Sequence, residues 1–202
     1  MKPVYFILFT LLFMVGTPGC KKELGSCPDA LEYFNINGVD ATVYSTFGSN
    51  GFDQQLYTND SADIKNYYIN CNYKVAYYSD NSLSFPSLFM NSAYALSCPE
   101  NGYNGSEEGL ESVTVLTKND FSSSFPAGDT INSIVMATDG FNNYMPLNQY
   151  VSNNGQVIRY TSVNIKLSEK PDNLSVPHGF TIIFKLKNGE TYTVHTPEVY
   201  FY

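Results

Sequence analysis

The side chains that could support catalysis or metal binding are few and widely separated in the sequence. Two histidines are present: His178 in a Val-Pro-His-Gly turn and His195 near the end of a predicted strand. A zinc site needs three or four convergent ligands, and no helix or hairpin spacing pairs these two. Cys98 could form a nucleophilic pair with either histidine, but a structural cysteine is the simpler interpretation. We therefore expect no metal, no cofactor and no catalytic residue, with both histidines at the surface or at strand ends.

Acidic residues offer two further arrangements. Glu107 and Glu108 are adjacent in a glycine-rich loop, whereas a glycosidase needs a second carboxylate across a cleft. Asn59, Asp60 and Asp63 could surround a calcium ion, but their spacing matches no calcium-loop pattern. The sequence also contains no HExxH or GxSxG motif. A non-catalytic binding or structural module is the favoured function, and a hydrolase whose site is assembled from scattered residues is the alternative.

Three of the four cysteines, Cys27, Cys71 and Cys98, follow the first one in the chain, Cys20. Cys27 and Cys98 each precede a proline, where a strand pattern meets a loop. A disulfide between them would close a loop of roughly 70 residues and stabilise the fold by about 4 kcal/mol in the chain-entropy model. Cys71 lies in the middle of an apolar strand face, where a free thiol behaves as a small hydrophobe. We predict a Cys27–Cys98 bridge with Cys71 free and buried; a Cys71–Cys98 bridge is the alternative.

The fourth cysteine, Cys20, follows an apolar N-terminal segment. Lys2 precedes the run VYFILFTLLFMV at 4–15, which has the length of a signal-peptide core. The run is shorter than the roughly 20 residues that a transmembrane helix requires. The residues before Cys20 resemble a bacterial lipobox, in which Gly19 precedes the cleavage site and Cys20 is acylated. Thr17 departs from that pattern, because most lipoboxes have leucine there.

This resemblance implies a three-part organisation. We expect a lipoprotein signal peptide at 1–19, a lipidated tether at 20–29 and one domain at 30–202. Bacterial lipoproteins usually carry two or three acyl chains, enough for stable attachment, since one chain binds only marginally. Lys21 is not the aspartate that retains enteric lipoproteins at the inner membrane, so the outer membrane is the expected location. Whether the domain faces the periplasm or the exterior is open.

The charge balance excludes one class of partner. The chain has 11 basic and 19 acidic side chains and a net charge of −8, which becomes −9 when Lys2 is removed with the signal peptide. A negatively charged body repels phosphate backbones. We therefore expect contact with the membrane through the lipid and a glycan or protein ligand, but no nucleic acid.

The elements that must position these residues are mainly strands. Residues 65–79 alternate between an apolar face and a wetter face that includes Tyr68, Asn70 and Tyr78. Similar alternation marks 111–117 and 162–167. At the C-terminus two alternating runs flank Asn188-Gly189, the strongest short hairpin signal, because both residues tolerate positive φ. LEYFNI at 31–36 and ATVYSTF at 41–47 are further strands, separated by Asn37-Gly38.

Helical signals are weaker. Asp129 could cap a short turn through Val135, and Pro146 could open another through Tyr150. Residues 99–109 have the composition of a loop.

Short strands with frequent turns predict an all-β antiparallel β-sandwich with few short helical turns, and the 17 tyrosines and 14 phenylalanines fit a strand-rich core. Outward-facing tyrosines such as Tyr68 and Tyr78 could also form a carbohydrate platform, although contact with a neighbouring strand is the simpler interpretation.

Two stretches resemble a known group of proteins. YALSCPENGYNGSEEGLESVTVLTKNDFSSSFPAGDTIN and the C-terminal FKLKNGETYTVHTPEVYF are similar to uncharacterised lipoproteins of Bacteroidetes. The resemblance implies an Ig-like envelope sandwich and no known activity, so no catalytic residue can be transferred. In that phylum Asp-Ser/Thr-apolar tripeptides are O-glycosylated, which makes Ser61 a candidate site; Thr130 is a second match. Ser61 is preferred because its Asn- and Asp-rich surroundings indicate a loop.

Overall fold

Strands dominate the computed structural model, which describes residues 30–47, 52–79, 100–140 and 143–202. The elements in chain order are β1 (Tyr33–Phe47), β2 (Phe52–Leu56), β3 (Ser61–Ala62), β4 (Tyr67–Tyr78), β5 (Gly105–Ser106), β6 (Leu110–Thr117), a 3-10 helix (Asn132–Ile134), β7 (Val135–Thr138), β8 (Met145–Pro146), α1 (Leu147–Asn153), β9 (Ser162–Leu167), β10 (Phe180–Leu186), β11 (Thr191–His195) and β12 (Tyr200–Phe201). Within these described ranges, no helix is long and apolar enough to cross a membrane.

The strands form two main sheets. The large sheet has the order β2-β1-β4-β9-β7-β8, with β5 beside β1, and the small sheet has the order β11-β10-β6. Pairing within the main path of each sheet is antiparallel, whereas β5 with β1 and β12 with β3 are parallel. The two sheets pack as an open sandwich. The predicted all-β antiparallel sandwich is therefore confirmed.

The core lies between the sheets and follows the predicted alternation. In β4 the inward residues Ile69, Cys71 and Tyr73 are buried. From the small sheet, Phe184 meets Tyr73 edge to face with 5.7 Å between ring centroids. At one margin Tyr192 of β11 donates its hydroxyl to the Ile36 carbonyl of β1 at 2.7 Å. Aromatic contacts and this hydrogen bond thus hold the small sheet against the large one.

The sequence predicts that Asn37-Gly38 separates two strands, but the structure has no such break. Tyr33–Phe47 is one strand that pairs with β4 along both halves, and the register shifts between Ile36 and Gly38. Such a β-bulge adds one residue without reversing the chain. The physical reason is the partner strand: β4 is 12 residues long without a break and pairs with both halves of β1.

The C-terminal hairpin of β10 and β11 is confirmed, with a different turn geometry. Gly189 has φ of +91°, while Asn188 has negative φ. The Gly189 amide donates to the Leu186 carbonyl at 3.0 Å, and the Leu186 amide donates to the Glu190 carbonyl at 2.9 Å. One left-handed residue after a tight turn produces a glycine bulge, which also suits the twist of a hairpin.

The short helical segments agree only partly with expectation. α1 begins after Pro146, as predicted, but continues to Asn153. The turn after Asp129 is a 3-10 helix that begins after Ile131 and has no side-chain cap, so the predicted Asp129 cap is wrong.

The loop predicted at 99–109 contains the two-residue strand β5, and its Gly102 and Gly105 have φ of +77° and +90°. Both glycines are buried, so this segment packs onto the domain.

Candidate functional site

The outer face of the large sheet collects polar and aromatic side chains from four strands. Its register places Tyr44 of β1 opposite Tyr68 of β4 and Asn70 of β4 opposite Asn164 of β9. Side chains alternate between sheet faces, so these residues point away from the core that Ile69 and Cys71 fill. Asp53 of β2 lies opposite Thr46 of β1 and so belongs to the same outer face. We call Tyr44, Asp53, Tyr68, Asn70, Tyr144 and Asn164 the polar-aromatic face.

Tyrosines form one half of this face. The Tyr44 and Tyr68 rings stack with 5.3 Å between centroids and planes 19° apart. Tyr68 is on the outer face, as predicted, but only 8% exposed, so the expected wet position is wrong. Its burial, reinforced by the Asp53 carboxylate, raises the pKa of Tyr68. The hydroxyl therefore stays protonated at neutral pH and acts as a hydrogen-bonding group.

Asp53 lies among several hydroxyl groups. Its Oδ1 accepts a hydrogen bond from the Thr46 hydroxyl at 2.8 Å, and the carboxylate is exposed to solvent. Burial and the Asp53 charge raise the pKa of Tyr144 to about 12. The Lys166 ammonium lies 4.8 Å from the centre of the Tyr144 ring, a cation–π contact. The cluster thus offers an acceptor carboxylate beside neutral phenols and one cation.

Asparagines form the other half. The Asn70 amide donates to the Asn164 side-chain carbonyl at 2.7 Å, and Asn72 donates in turn to Asn70. The Asn164 amide reaches the Gly140 carbonyl at 3.5 Å. Asn72, Asn70 and Asn164 thus form a row in which each side-chain amide is oriented by a hydrogen bond to the following residue of the row. The exposed Asn72 at the end of this row has a side-chain carbonyl without a protein donor among the described residues.

A tyrosine–aspartate pair lies beside this row. The Tyr150 hydroxyl of α1 donates to Asp139 Oδ1 at 2.7 Å, and Asp139 directly follows β7. Burial raises the pKa of Asp139, while hydrogen bonds from Tyr150 and Asn154 act in the opposite direction. Because the folded chain binds this proton more tightly than the unfolded chain, Asp139 lowers stability as pH rises above its ordinary pKa of about 3.9.

We expect Asp139→Asn to flatten this pH dependence. The asparagine carbonyl can still accept from Tyr150, and it has no charge to desolvate. Wild type should lose stability relative to the variant between about pH 4 and the raised pKa. Urea unfolding across that range measures the difference. Tyr150→Phe is the matched comparison, because it removes a hydroxyl that lowers the pKa and should steepen the loss. A variant whose profile parallels that of wild type would contradict this expectation.

A groove of about 570 Å³ opens between β6 and α1. Glu111 and Asn132 line it, but each has a partner. Glu111 forms an ion pair with Lys185 at 2.6 Å. Asn132 accepts from the Val115 amide at 2.9 Å and donates to the Val113 carbonyl at 2.8 Å. Asn132 therefore satisfies backbone groups of β6 as a neighbouring strand would, so the Glu111 and Asn132 side chains both have structural roles.

The two histidines are not brought together. His178 is 1% exposed and lies against Phe121, with its Nε2 2.8 Å from the Asn173 carbonyl. A surface position for His178 is therefore wrong, although it does pair with Val199 as a strand-end bridge. His195 is exposed at the end of β11 and contacts the Thr181 hydroxyl at 2.9 Å. The described residues contain no cluster of three histidine, cysteine or acidic residues able to hold a metal.

Of the cysteines, Cys71 lies within the described residues. It is fully buried and free, and burial raises the pKa of its thiol to about 12. The expected lipid acceptor Cys20 and the expected disulfide partners Cys27 and Cys98 lie outside the described residues. Both assignments remain predictions.

The remaining candidates have local structural roles. Glu107 is exposed, and the Glu108 amide donates to the Ser106 hydroxyl at 3.0 Å. The carboxylates of Asp60 and Asp63 accept from the amides of Tyr57 and Lys65 at 2.8 and 3.0 Å. In these contacts an aspartate side chain accepts a hydrogen bond from a nearby backbone amide and stabilises a local turn.

Ser61 differs from its predicted setting. It belongs to the two-residue strand β3, paired with Tyr200, and so does not lie in a loop, although its side chain is exposed. The hydroxyl is therefore accessible, and O-glycosylation of Ser61 remains a prediction.

Sequence reasoning found part of the polar-aromatic face. The even positions of β4 supplied Tyr68 and Asn70, but the other four residues were missed: Tyr44, Asp53, Tyr144 and Asn164. A useful signal was the shortage of apolar residues at alternate positions of β1, where Thr42 and Thr46 flank Tyr44. No protein-family model matches this chain, and no curated protein or solved structure shows detectable similarity to it.

Proposed function

We propose that this chain is a lipid-anchored, non-catalytic binding module of the bacterial outer membrane. One observation of the fold supports the binding role: an ordered polar-aromatic face lies on a sheet whose other face is filled by the core. A hydrolytic site would need an acid and a base or nucleophile around one cleft. The nearest feature of that kind, Asp139, is hydrogen-bonded to Tyr150 and stands without a second carboxylate partner among the described residues.

The anchor rests on the sequence. A short apolar segment, Gly19 and Cys20 form a lipoprotein-type processing site. Each methylene of an attached chain contributes about 0.8 kcal/mol to membrane binding, so two or three acyl chains hold a protein stably. The tether and the acidic body then keep the domain in the aqueous phase beside the membrane.

Labelling with radioactive palmitate tests the anchor. We expect label in wild type and its loss in Cys20→Ser, together with a shift of the protein from the membrane to the soluble fraction. Cys71→Ala is the matched control, because it removes a cysteine from the core and should leave labelling unchanged. Equal labelling of wild type and Cys20→Ser would overturn the lipoprotein assignment.

A further inference from the structure

We infer that the polar-aromatic face binds a neutral glycan. This inference rests on the proposed binding function and specifies its ligand class. Three chemical features of the face support it: exposed acceptor groups, aromatic rings and a nearly balanced local charge. These side chains do not fill the core, since the core occupies the opposite side of the same strands.

The hydrogen-bonding groups suit sugar hydroxyls. A sugar hydroxyl both donates and accepts, so its partners are carboxylates, amides and hydroxyls in fixed positions. Asp53 is exposed, and its carboxylate accepts hydrogen bonds from the hydroxyls of Thr46 and Tyr68, which hold it in place at the surface. The Asn72–Asn70–Asn164 row points its terminal carbonyl into solvent. Asp53 pairs with Thr46 and Asn72 pairs with Asp40, so these acceptors lie on either side of the Tyr44–Tyr68 and Asn70–Asn164 pairs of the same sheet.

The aromatic rings provide the apolar contact that a pyranose needs. One face of a pyranose ring presents C–H groups that pack on an aromatic ring, while its hydroxyls lie around the rim. Tyr44 is half-buried, and the ring of its cross-strand neighbour Tyr68 stacks against it with 5.3 Å between centroids. A tyrosine supported in this way loses little conformational entropy on binding. The face is therefore preorganised.

Charge favours a neutral glycan over an anionic one. The net charge of −8 repels polyanions over the whole surface. Locally, Lys166 lies 4.8 Å from the Tyr144 ring, and Lys74 is paired with Asp40 at 2.8 Å. Among the described residues, this face therefore offers no excess of cations to pair with sulfates or uronates. A polyanionic ligand would need such an excess.

A carbohydrate array tests this inference with the full-length protein in detergent. The probes are neutral polysaccharides, such as glucans, mannans, galactans and xylans, beside sulfated and uronate-containing ones. We expect binding to at least one neutral polysaccharide, and Tyr44→Ala and Asp53→Ala should weaken it about tenfold or more. Tyr103→Ala is the control: Tyr103 is 50% exposed and lies near the opposite end of β1, so its loss should leave binding unchanged.

Circular dichroism and melting curves separate unfolding from loss of contact. Asp53 is exposed, so Asp53→Ala should fold normally even if Tyr44→Ala does not. Three results would overturn the glycan site: no binding, binding only to polyanions, or binding that both variants retain. If palmitate labelling still depends on Cys20, the anchored module survives that outcome with another ligand. Release of shorter saccharides from a bound glycan would instead overturn the non-catalytic assignment while keeping the site.

Discussion

Replacing Phe184 by alanine is expected to lower the free energy of unfolding by about 3–5 kcal/mol. Phe184 lies in β10, the central strand of the small sheet, and its side chain is fully buried. It contacts Tyr73 of β4 edge to face across the sandwich. The alanine would leave a cavity at the point where the two sheets meet, and the surrounding rings can relax only partly. Urea unfolding followed by far-UV circular dichroism measures the loss.

Phe52→Ala is the matched control, because it makes the same chemical change at an exposed site. The Phe52 side chain is 73% exposed at the start of the edge strand β2. We expect a change within about 0.5 kcal/mol, as for most surface substitutions. Similar losses for both variants would mean that Phe184 does not join the sheets as described. The unfolding slope should stay constant in both cases, since the area exposed on unfolding changes little.

Strand identity could be predicted from sequence because alternation is a local property. β9 was predicted at its observed bounds from the positions of Val163, Ile165 and Leu167. β4 was predicted from its odd and even residues, and the buried positions from Tyr67 to Tyr73 follow that division except at Tyr68, which is buried on the outer face. In each strand the hydrophobic period decides which side faces the core, and no knowledge of the partner strand is needed.

Pairing between distant strands could not be predicted in the same way. The bulge at Gly38 depends on β4 as a partner for both halves of β1. The burial of Tyr68 depends on Tyr44 and on Asp53, which reach it from β1 and β2. The register between strands is set by long-range packing, and a single-residue slip would exchange the two faces of a strand. Local patterns therefore indicate which residues point outward, but not what they meet there.

His178 illustrates the same limit for a buried polar group. Val-Pro-His-Gly predicts a turn, and turns usually lie at the surface. Here β12 returns beside the turn, so that Phe201 stacks on the imidazole and Val199 pairs with its backbone. The Asn173 carbonyl supplies the hydrogen bond that burial requires. Each contact comes from a segment whose position the local sequence does not specify.

The organisation of β4 links the core to the proposed binding surface. Its inward residues contact the small sheet, while its outward residues carry Tyr68 and Asn70. Because one strand serves both faces, rigid core packing fixes the spacing of the outward groups. If this surface binds a glycan as proposed, mutations that loosen the core beneath β4 should weaken that binding even without touching the polar-aromatic face.

Replacing Gly109 by alanine is expected to destabilise the domain by about 2–3 kcal/mol, at the upper end of overpacking effects. A Cβ at Gly109 would overlap the Gly155 carbonyl and approach the Gln156 nitrogen to 2.8 Å. Both neighbours are backbone, so no side-chain rotation relieves the contact. The segment is also fastened on either side: the Leu110 amide donates to the Asn154 carbonyl at 2.9 Å, and the Lys187 amide donates to the Gly109 carbonyl at 3.0 Å. Moving Gly109 aside would break these bonds.

Gly140→Ala separates this steric effect from the general effect of losing a glycine. A Cβ at Gly140 meets no atom within 4 Å, and its φ is not in the left-handed region. We expect Gly140→Ala to be neutral or stabilising by up to about 1 kcal/mol, because alanine restricts the unfolded chain. In one buffer, the melting temperature of Gly109→Ala should therefore fall below that of wild type, while that of Gly140→Ala should stay equal to it or rise. Equal stability of Gly109→Ala and wild type would show that the loop before β6 does not pack against residues 154–156 as closely as the structure indicates.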